Sequence, residues 1–326
     1  MARIFYNTFT KEPQLSGKVR LDIASIAEKL GFVSTNKINK NNDDEKIAIF
    51  PYPSDDGNTD ADVKIIDQLK NNNYKIIIIL LNLNHLRYNN INDEENDRYV
   101  LEHADSIIGS EKMIQYIIEN EGYKIKYFSG MLFHDYLFDH NVDFKKSSEP
   151  NNIVYAGSTE KVDYLLNWQG APVDVYGVAE KNKKLVENHK NGLTNARWVG
   201  QISPDMINLV LDYGVGLSFD YNENSDDRYN FYQSLNLSHK ITMYIATGRP
   251  LIINSQSPVA DLLVKKGMAI AVDNIDQIND AFYALDDKKI KSMSKKILNS
   301  KLRKKIISGT MYKNAIEDSI KSLSEG

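Results

Sequence analysis

The segment SHKITMYIATGRPLIIN, residues 238–254, contains the pattern that decides the fold of this chain. Its first part predicts a helix that starts at Ser238, a residue type favoured at helix N-caps, and ends at Gly248, as glycine often ends helices. The apolar run PLIIN follows at residues 250–254 and indicates a strand buried on both faces. A helix that leads directly into such a strand is the repeating unit of a parallel α/β sheet.

The same alternation extends through the chain on either side of this segment. In the second half, further strands are predicted at residues 152–158, 173–177, 196–199, 214–219 and 268–272. In the first half, strands are predicted at residues 3–8, 46–51, 75–81, 106–109 and 124–128. Because strands that alternate with helices form parallel sheets with helices on both faces, we predict an α/β protein with two doubly wound, Rossmann-like domains.

A polar stretch, DHNVDFKKSSEPNN at residues 139–152, separates the two halves. It has few apolar side chains, which is typical of an interdomain linker. We therefore predict an N-terminal domain at 1–143, a linker at 144–151 and a C-terminal domain at 152–300. Residues 301–326 are expected to form a C-terminal helix that packs back toward the N-terminal domain. Open parallel sheets bind ligands beyond the carboxyl ends of their strands, so the site is expected in a cleft between the domains.

Composition excludes several classes of protein. The 326 residues include 40 Lys and Arg against 44 Asp and Glu, a net charge of −4, so bulk charge does not favour nucleic acid. With Cys 0, there is no disulfide framework, thiol nucleophile or thiolate metal site. The longest apolar run, residues 76–81, is far shorter than the roughly 20 residues that span a bilayer. The N-terminus shows no secretory signal, so we expect a cytoplasmic location.

Two stretches of the second half predict an anion site. Gly157 and Ser158 follow the strand IVYA, where backbone N–H groups at a helix start could bind an anion, and Lys161 would add a positive charge. The alternative is a plain strand-to-helix turn. Lys240 lies in the first turn of the helix at 239–246, where the helix dipole disfavours a cation unless an anion lies between them. The alternative there is a lysine that extends into solvent, but a diphosphate would resolve the conflict better.

The stretch LSFDYNENSDDRYNFYQSLN, residues 217–236, is long and aromatic for a connection. Carboxylates such as Asp220 could accept hydrogen bonds from sugar hydroxyls, and the aromatic rings could cover apolar sugar faces. A surface loop is the alternative. No G-x-G-x-x-G or P-loop motif occurs, which argues against dinucleotide dehydrogenases and P-loop NTPases.

Among the six histidines, His85 and His134 follow strands of the N-terminal domain. The pair His134 and Asp135 could supply a general base, although a structural role is the alternative. Asp60 and Asp62 match the Asp-x-Asp motif of metal-dependent sugar transferases, but acidic residues are also favoured in a first helical turn. We favour the helix-terminal role and expect no metal.

The second half resembles the C-terminal domain of GT-B glycosyltransferases through four segments, IVYAGS, GVGLSFD, SHKITMYIATGRPLIIN and VADLLVKKGMAIAV. More narrowly, the chain is similar to bacterial transferases that extend O-linked N-acetylglucosamine (GlcNAc) on serine-rich-repeat adhesins, also called nucleotide-sugar-synthetase-like. It also resembles bacterial β-1,6-galactofuranosyltransferases. The resemblance is best from 152 to 285 and weak from 36 to 75, and it implies the GT-B fold with a cleft between two domains.

The resemblance also implies roles for individual residues. Lys240 would neutralise the donor diphosphate, and Asp220 would face the donor sugar as part of the catalytic group with His134 and Asp135. The other residues expected to bind the nucleotide-sugar are Gly157, Ser158, Lys161, Tyr176, Gly177, Asn236, Ser238 and His239. On the acceptor side, the resemblance implies Thr8, Ser16 and Gly17. Relatives often carry His-Asp after the central N-terminal strand, where this chain has Leu81 and Asn82.

The resemblance therefore implies a glycosyltransferase that moves a hexose or N-acetylhexosamine from a UDP-sugar, such as UDP-glucose or UDP-GlcNAc, to a GlcNAc-modified serine-rich glycoprotein. No cofactor or metal is expected, since the UDP-sugar is the donor substrate. A homo-oligomer is compatible with the resemblance, and neither nucleic acid nor a membrane span is expected. A galactofuranosyl or other polysaccharide transferase is an alternative. Two further alternatives are a sugar-nucleotide 2-epimerase on the same fold, which needs no acceptor, and a sugar-binding protein.

Overall fold

The computed structural model describes residues 2–7, 17–38, 46–54, 59–88, 91–138, 152–203, 206–211, 213–221 and 227–325. The chain forms two compact units. Unit 1 comprises residues 1–135, 235–237 and 309–326, and unit 2 comprises residues 136–234 and 238–308. Each unit contains one six-stranded sheet in which all paired strands run parallel.

The sheet of unit 1 has the strand order β2-β1-β3-β4-β5-β6. Its strands are β1 (Ala2–Tyr6), β2 (Val33–Thr35), β3 (Lys46–Tyr52), β4 (Tyr74–Leu80), β5 (Ser106–Ser110) and β6 (Phe128–Met131). Its helices are α1 (Lys18–Lys29), α2 (Thr59–Asn71), α3 (Asn84–Tyr88), α4 (Ile91–Glu102), α5 (Glu111–Glu119) and α14 (Thr310–Glu325). The strand β4, YKIIIIL, is buried at every position except Lys75, as expected for a central strand with helices on both faces.

The last helix of the chain belongs to unit 1. Helix α14 packs on β5, β6 and α1. The hydroxyl of Ser319 lies 2.8 Å from that of Ser106 at the start of β5. The preceding residues, Lys301–Ile307, belong to unit 2, so the unit boundary lies within the segment that the sequence treats as one C-terminal helix.

The sheet of unit 2 has the strand order β12-β11-β10-β7-β8-β9. Its strands are β7 (Ile153–Ala156), β8 (Val173–Tyr176), β9 (Ala196–Gly200), β10 (Val215–Ser218), β11 (Leu251–Asn254) and β12 (Ala269–Val272). Its helices are α6 (Lys183–Lys190), α7 (Ile207–Val210), α8 (Asp227–Leu235), α9 (His239–Ala246), α10 (Ala260–Lys265), α11 (Gln277–Tyr283), α12 (Asp287–Leu298) and α13 (Lys301–Ile307).

Helix α9 is fixed against the sheet by a tyrosine and two glycines. The Tyr244 hydroxyl donates to the carbonyl of Val154 at 2.8 Å and accepts from the N–H of Ala156 at 3.0 Å. A Cβ on Gly216 would lie 2.5 Å from the Tyr244 ring, so only glycine lets the helix approach β10 this closely. Gly248, at φ +75°, ends the helix in the left-handed conformation that glycine adopts most readily.

The structure differs from the predicted elements in several places. Residues 161–168, predicted as one helix, form two short 3-10 turns at Thr159–Lys161 and Asp163–Asn167. The predicted long loop at 217–236 contains helix α8, and the strand predicted at 124–128 lies at Phe128–Met131. The short elements β2 and α3 had no clear sequence signal, because three to five residues are too few to show a period. The predicted linker, residues 144–151, lies outside the described residues.

Among the described residues, no helix is long and apolar enough to cross a membrane.

Candidate functional site

The carboxyl edge of the unit 2 sheet collects residues from three adjacent strands. Gly157 follows β7, Asp220 lies two residues beyond β10, and Gly177 follows β8. Strand β7 pairs with β8 on one side and with β10 on the other. The chain runs from β7 outward through β8 and β9, and then returns to β10 on the opposite side of β7, so the strand order reverses at β7. Ligands of open parallel sheets bind at such a switch point. The sequence placed Gly157 and Asp220 at this edge, and the strand order of the sheet agrees with that placement.

Lys240, Asp220 and Tyr155 form one hydrogen-bonded cluster at this edge, called here the Lys240 cluster. The Lys240 ammonium group contacts the Asp220 carboxylate and lies 3.2 Å from the Tyr155 hydroxyl. That hydroxyl also lies 3.3 Å from an Asp220 oxygen, and the ammonium lies 4.6 Å from the centre of the Tyr155 ring. The lysine is therefore held by a carboxylate, a hydroxyl and the negative face of an aromatic ring.

The cluster is largely buried, but part of it remains accessible to solvent. The side chains of Lys240 and Asp220 are 15% and 11% exposed, whereas Tyr155 is fully buried. Burial, reinforced by the Asp220 charge, raises the pKa of Tyr155 well above its usual value, so the phenol stays protonated. Opposite charges in a poorly hydrated setting interact more strongly than on an open surface. The ammonium group is nevertheless partly exposed, so an anionic ligand at the edge of the sheet could compete with Asp220 for it.

Two glycines let the turns at this edge pack closely. A Cβ on Gly157 would lie 2.8 Å from the Tyr155 hydroxyl, and a Cβ on Gly177 would lie 2.1 Å from the carbonyl oxygen of Gly157. The N–H of Gly157 donates to the carbonyl of Tyr176 at 2.8 Å. Larger side chains at these two positions would force the turns apart.

The turn after Gly157 is not the helix start that the sequence suggested. Thr159–Lys161 is a 3-10 turn, and the Ser158 hydroxyl accepts the Glu160 N–H at 3.1 Å. That N–H is therefore already used by Ser158, and a turn of three residues lacks the dipole of a full helix. Lys161 is half-buried at the end of the turn. The helix predicted after Gly157 is therefore wrong, whereas the expectation that Gly157 and Ser158 bind the nucleotide-sugar stays a prediction.

The start of α9 carries Lys240 in its first turn, as predicted. Ser238 has the extended backbone of an N-cap, but its side chain caps no N–H within the described part of the chain. The His239 ring stacks on Tyr136 with centroids 5.1 Å apart, which gives it a packing role in unit 2. Asn236 is half-buried and lies in the 235–237 segment of unit 1.

Tyr176 is predicted to bind the nucleotide-sugar, but its hydroxyl has another partner. It lies 2.7 Å from the Tyr213 hydroxyl, which donates to Asp174 at 2.7 Å. Asp174 also pairs with Arg197 at 2.6 Å, and this ion pair and the hydrogen bonds outweigh burial and lower the pKa of the aspartate. The Tyr176 backbone contacts the candidate site, because its carbonyl accepts the Gly157 N–H.

His134 and Asp135 are buried, and both form hydrogen bonds to helix α14. The Asp135 carboxylate accepts the backbone N–H groups of Tyr312 at 2.8 Å and Met311 at 3.2 Å, so it caps the start of α14. His134 lies 2.6 Å from the Tyr312 hydroxyl and 3.1 Å from the Leu237 carbonyl. A carbonyl only accepts, so the ring nitrogen Nε2 carries the proton and Nδ1 accepts from the tyrosine.

These contacts argue against the predicted general base. Burial lowers the pKa of His134 to about 4, which keeps the ring neutral, and both of its nitrogens are occupied. Burial raises the pKa of Asp135 to about 7 against the opposing effect of the two N–H donors, and the residue is fully buried. A base must reach the acceptor hydroxyl, and neither side chain can do so without leaving its partners. We therefore assign both to structural roles.

His85, the other histidine after an N-terminal strand, is also enclosed. Its Nδ1 lies 2.7 Å from an Asp97 oxygen and its Nε2 lies 3.1 Å from a Glu121 oxygen. Burial by itself lowers the pKa of His85, but the two carboxylates outweigh burial and raise it to about 9. The ring is therefore a buried imidazolium between two carboxylates in unit 1.

Of the three residues predicted on the acceptor side, the structure describes one. Gly17 is buried immediately before α1, whereas Thr8 and Ser16 lie outside the described residues. Asp60 accepts from the Asn96 amide at 2.7 Å, and Asp62 accepts the Ser54 N–H at 3.0 Å. Both carboxylates thus have partners around the start of α2. The described residues contain no group of three or more acidic or histidine side chains that could hold a metal.

Sequence reasoning missed Tyr155 and Tyr244, the two buried tyrosines that organise the site. Tyr155 lies inside the apolar strand IVYA and looks like a core residue, although its hydroxyl reaches Lys240 and Asp220. Tyr244 lies four residues after Lys240, one helical turn away, and this spacing is the signal that could have linked the two. A tyrosine in an otherwise aliphatic segment needs a hydrogen-bond partner when it is buried.

Two doubly wound parallel sheets with a candidate site at the carboxyl edge of the second define the GT-B class of glycosyltransferase fold. The family model described as "Glucosyltransferase 3-like, C-terminal domain" matches residues 153–319. This match spans slightly more than half of the chain, and the chain belongs to this family. The expected resemblance and fold class are both confirmed.

Two relatives share part of the sequence. Glucosyltransferase 3 of Streptococcus gordonii is 29% identical over 126 residues, 38% of this chain and 35% of the relative. The β-1,6-galactofuranosyltransferase WbbI of Escherichia coli K12 is 24% identical over 198 residues, 58% of this chain and 56% of the relative. The matches thus span about a third and just over half of these relatives.

Solved structures extend the likeness to almost the whole chain at the level of fold. Anabaena HepE, in a complex with UDP-glucose, has a TM-score of 0.65 at 10% identity and covers 99% of this chain and 100% of its own. Sucrose-phosphate synthase from Thermosynechococcus elongatus has a TM-score of 0.59 at 11% identity, with 98% of this chain and 82% of its own covered. At these identities the likeness shows the fold alone.

Proposed function

We propose that this protein is a hexosyltransferase that uses a UDP-sugar as donor and binds it at the carboxyl edge of the unit 2 sheet. The Lys240 cluster carries the proposal. It holds a poorly hydrated ammonium group next to the close-packed Gly157 turn, at the point where the strand order reverses. This edge lies within the segment that the family model matches. In Anabaena HepE, a protein of the same fold, the bound ligand is UDP-glucose.

The chemistry of transfer assigns a task to each member of the cluster. The bond between the sugar C1 and the β-phosphate oxygen breaks, a bond from C1 to the acceptor oxygen forms, and UDP leaves with an additional negative charge. The Lys240 ammonium stabilises that charge as it develops. Asp220 aligns the lysine through their ion pair, and can accept from a sugar hydroxyl. The acceptor hydroxyl loses its proton to a base, a task that His134 and Asp135 cannot perform from their buried positions.

The acceptor that we propose is a GlcNAc-modified serine-rich glycoprotein, with transfer taking place in the cytoplasm and without a metal ion. The acceptor and the location rest on the resemblance to adhesin-modifying transferases. Metal independence rests on the cluster, since an ammonium group beside the leaving diphosphate does the work that a divalent cation does elsewhere. A homo-oligomer belongs to the same proposal.

A second candidate is transfer of galactofuranose to a polysaccharide acceptor. It is favoured by the match to WbbI, which covers more of this chain than the match to Glucosyltransferase 3 does. The two candidates share the donor diphosphate and the Lys240 cluster. They differ in the sugar ring and in the acceptor.

A UDP-release screen tests both candidates. The purified chain is incubated with UDP-glucose, UDP-GlcNAc, UDP-galactose or UDP-galactofuranose, with and without a GlcNAc-modified serine-rich peptide. We expect rapid UDP release from one hexose donor only when the peptide is present, together with a peptide mass increase of one sugar. Release from UDP-galactofuranose alone among the donors would favour the second candidate. Conversion of UDP-GlcNAc to its epimer without any acceptor would contradict both.

A further inference from the structure

The last two helices of unit 2 carry an unusual charge pattern. Residues 288–305 contain nine Lys or Arg and no Asp or Glu, in a chain whose net charge is −4. Eight of these cations are exposed lysines, called here the lysine face: Lys288, Lys289, Lys291, Lys295, Lys296, Lys301, Lys304 and Lys305. The ninth, Arg303, turns inward and donates to the Ala246 carbonyl at 2.9 Å. The exposed cations are therefore all lysines.

The helical period explains why the lysines share an exposed surface. Ile290 and Ile297 of α12 are buried, and so is Ile306 of α13, so both helices hold their apolar side chains against unit 2. The opposite side of α12 carries its five lysines together with Ser292, and Asn299 follows at the end of the helix. Within the described part of the chain, none of the eight lysines forms an ion pair.

Neighbouring lysines extend the lysine face at one end, and two aspartates limit it at the other. Lys296 Nζ would lie 2.7 Å from a Cβ on Gly267, which brings it beside the end of α10, where Lys265 and Lys266 are exposed. Asp286 and Asp287 lie at the start of α12, and Asp286 caps the helix by accepting the Lys289 N–H at 2.7 Å. The carboxylates are thus confined to the first turn.

We infer that the lysine face binds the surface of an anionic lipid bilayer. Membranes with anionic lipids attract clustered lysines with about 1 kcal/mol for each lysine near the surface, roughly a fivefold factor. Lysine acts as a point charge, which suits a diffuse surface potential, whereas directional recognition of single phosphates favours arginine. Aromatic side chains do not alternate with these lysines, as they do in single-strand nucleic-acid sites. Protein interfaces are depleted in lysine at their centres.

The attachment is electrostatic, and this sets its properties. The apolar side chains of α12 and α13 face the core of unit 2, so the helices cannot insert into the acyl region without unfolding. Binding should therefore need anionic lipid and should weaken steeply with salt, because exposed charges are screened within about 10 Å at 0.1 M ionic strength. It would place the enzyme next to a membrane without any spanning segment.

Vesicle co-sedimentation of the full chain tests the inference. The vesicles contain either phosphatidylcholine alone or phosphatidylcholine with about 30% phosphatidylglycerol, an anionic lipid. The face variant carries Lys288→Glu, Lys291→Glu and Lys295→Glu together. The matched control carries the same three changes of charge at exposed lysines of α6, namely Lys183→Glu, Lys184→Glu and Lys190→Glu. Melting temperature and UDP affinity confirm that each variant is folded, and neither readout depends on sugar transfer.

We expect the wild type to bind only the anionic vesicles and to be released as salt rises from about 0.05 M to 0.5 M. The face variant should lose about tenfold or more of the partition coefficient, and the α6 control should lose no more than about twofold. Equal binding by the face variant and the wild type, or binding that salt does not weaken, would overturn the inference. Failure of the wild type to bind anionic vesicles while it binds polyglutamate would assign the face to an acidic protein instead.

Discussion

At the residue scale, the central feature is an ion pair between Lys240 and Asp220 that a buried tyrosine supports. The sequence indicated two separate roles, with the lysine facing a diphosphate and the aspartate facing a sugar. The pairing joins the two roles, because the aspartate now competes with any diphosphate for the same ammonium group. Donor binding would therefore exchange one anionic partner of the lysine for another, and the tyrosine ring would hold the lysine in place during the exchange.

Asp220→Asn separates competition from catalysis. Removing the charge takes away the competitor for Lys240, so we expect UDP affinity to stay the same or to rise by up to about fivefold. Sugar transfer should nevertheless fall, because the amide retains one acceptor but no longer forms the ion pair that aligns the lysine. Calorimetry with UDP and a turnover assay on one preparation measure both quantities. The control is Asp261→Asn, at an exposed position of α10. Unchanged turnover together with a lowered melting temperature would reduce Asp220 to a structural role.

Individual site residues could be predicted from the sequence only where a charge or a glycine interrupts a strongly apolar pattern. Lys240, Asp220 and Gly157 stand out in this way, and the structure brings all three to one edge. Tyr155 could not be found, because a tyrosine in a buried strand looks the same whether or not its hydroxyl serves a site. The prediction for His134 and Asp135 failed because Asp135 caps α14 across 176 and 177 positions of sequence, a contact that no local pattern reveals.

At the element scale, buried charges in unit 1 connect short helices that packing alone would hold weakly. His85 at the start of α3 lies between Asp97 of α4 and Glu121 beyond α5. The Tyr52 hydroxyl at the end of β3 also donates to Asp97. The Arg98 guanidinium lies 4.2 Å from the centre of the Tyr123 ring, which stacks beside His85. A group of this kind stabilises the fold only while its central imidazole is charged.

The stability of unit 1 should consequently depend on pH above neutrality. The pKa of His85 is about 9 in the folded state, against about 6.5 for an unperturbed histidine, so folding takes up a proton between these two pH values. The stabilisation is complete below about pH 6.5 and is lost as pH rises through about 9, a change of about 1–3 kcal/mol. Chemical denaturation at several pH values measures this loss. In His85→Gln the slope should flatten, and parallel curves for variant and wild type would contradict the assignment.

Long elements could be predicted from the sequence, and short ones could not. Strands β4 and β11 and helix α9 show clear apolar runs or periods, and the structure places them within a residue or two of the prediction. The 3-10 turns at Thr159–Lys161 and Asp163–Asn167 share the apolar spacing of a helix, so the pattern merged them into one. Helix α8 was missed because its polar and aromatic side chains show little period.

At the scale of the whole molecule, two similar sheets carry different kinds of polar residues. The carboxyl edge of the unit 2 sheet has an ammonium group within reach of a ligand, whereas the described part of unit 1 keeps His85, His134 and Asp135 enclosed. This asymmetry agrees with a donor site in unit 2.

Sugar transfer should survive chelation of metal ions. In the proposed mechanism Lys240 would supply the positive charge that a diphosphate leaving group needs, so we expect EDTA to leave turnover within about twofold of the untreated enzyme. The assay is UDP release with the best donor and acceptor, before and after dialysis against EDTA. Loss of activity that manganese or magnesium restores would contradict the metal-free mechanism. It would instead favour a metal-binding role for Asp60 and Asp62 at the start of α2.

The most direct test of the account is the affinity of UDP for the wild type and for Lys240→Met, measured by calorimetry. Methionine keeps the length and most of the packing of the lysine but removes its charge. Lys265→Met, at an exposed position of α10, is the matched control. We expect UDP to bind the wild type and the control equally, and Lys240→Met to bind it about 10- to 100-fold more weakly, the range for charge-assisted hydrogen bonds. Unchanged UDP affinity in a folded Lys240→Met variant would contradict the donor site at this edge.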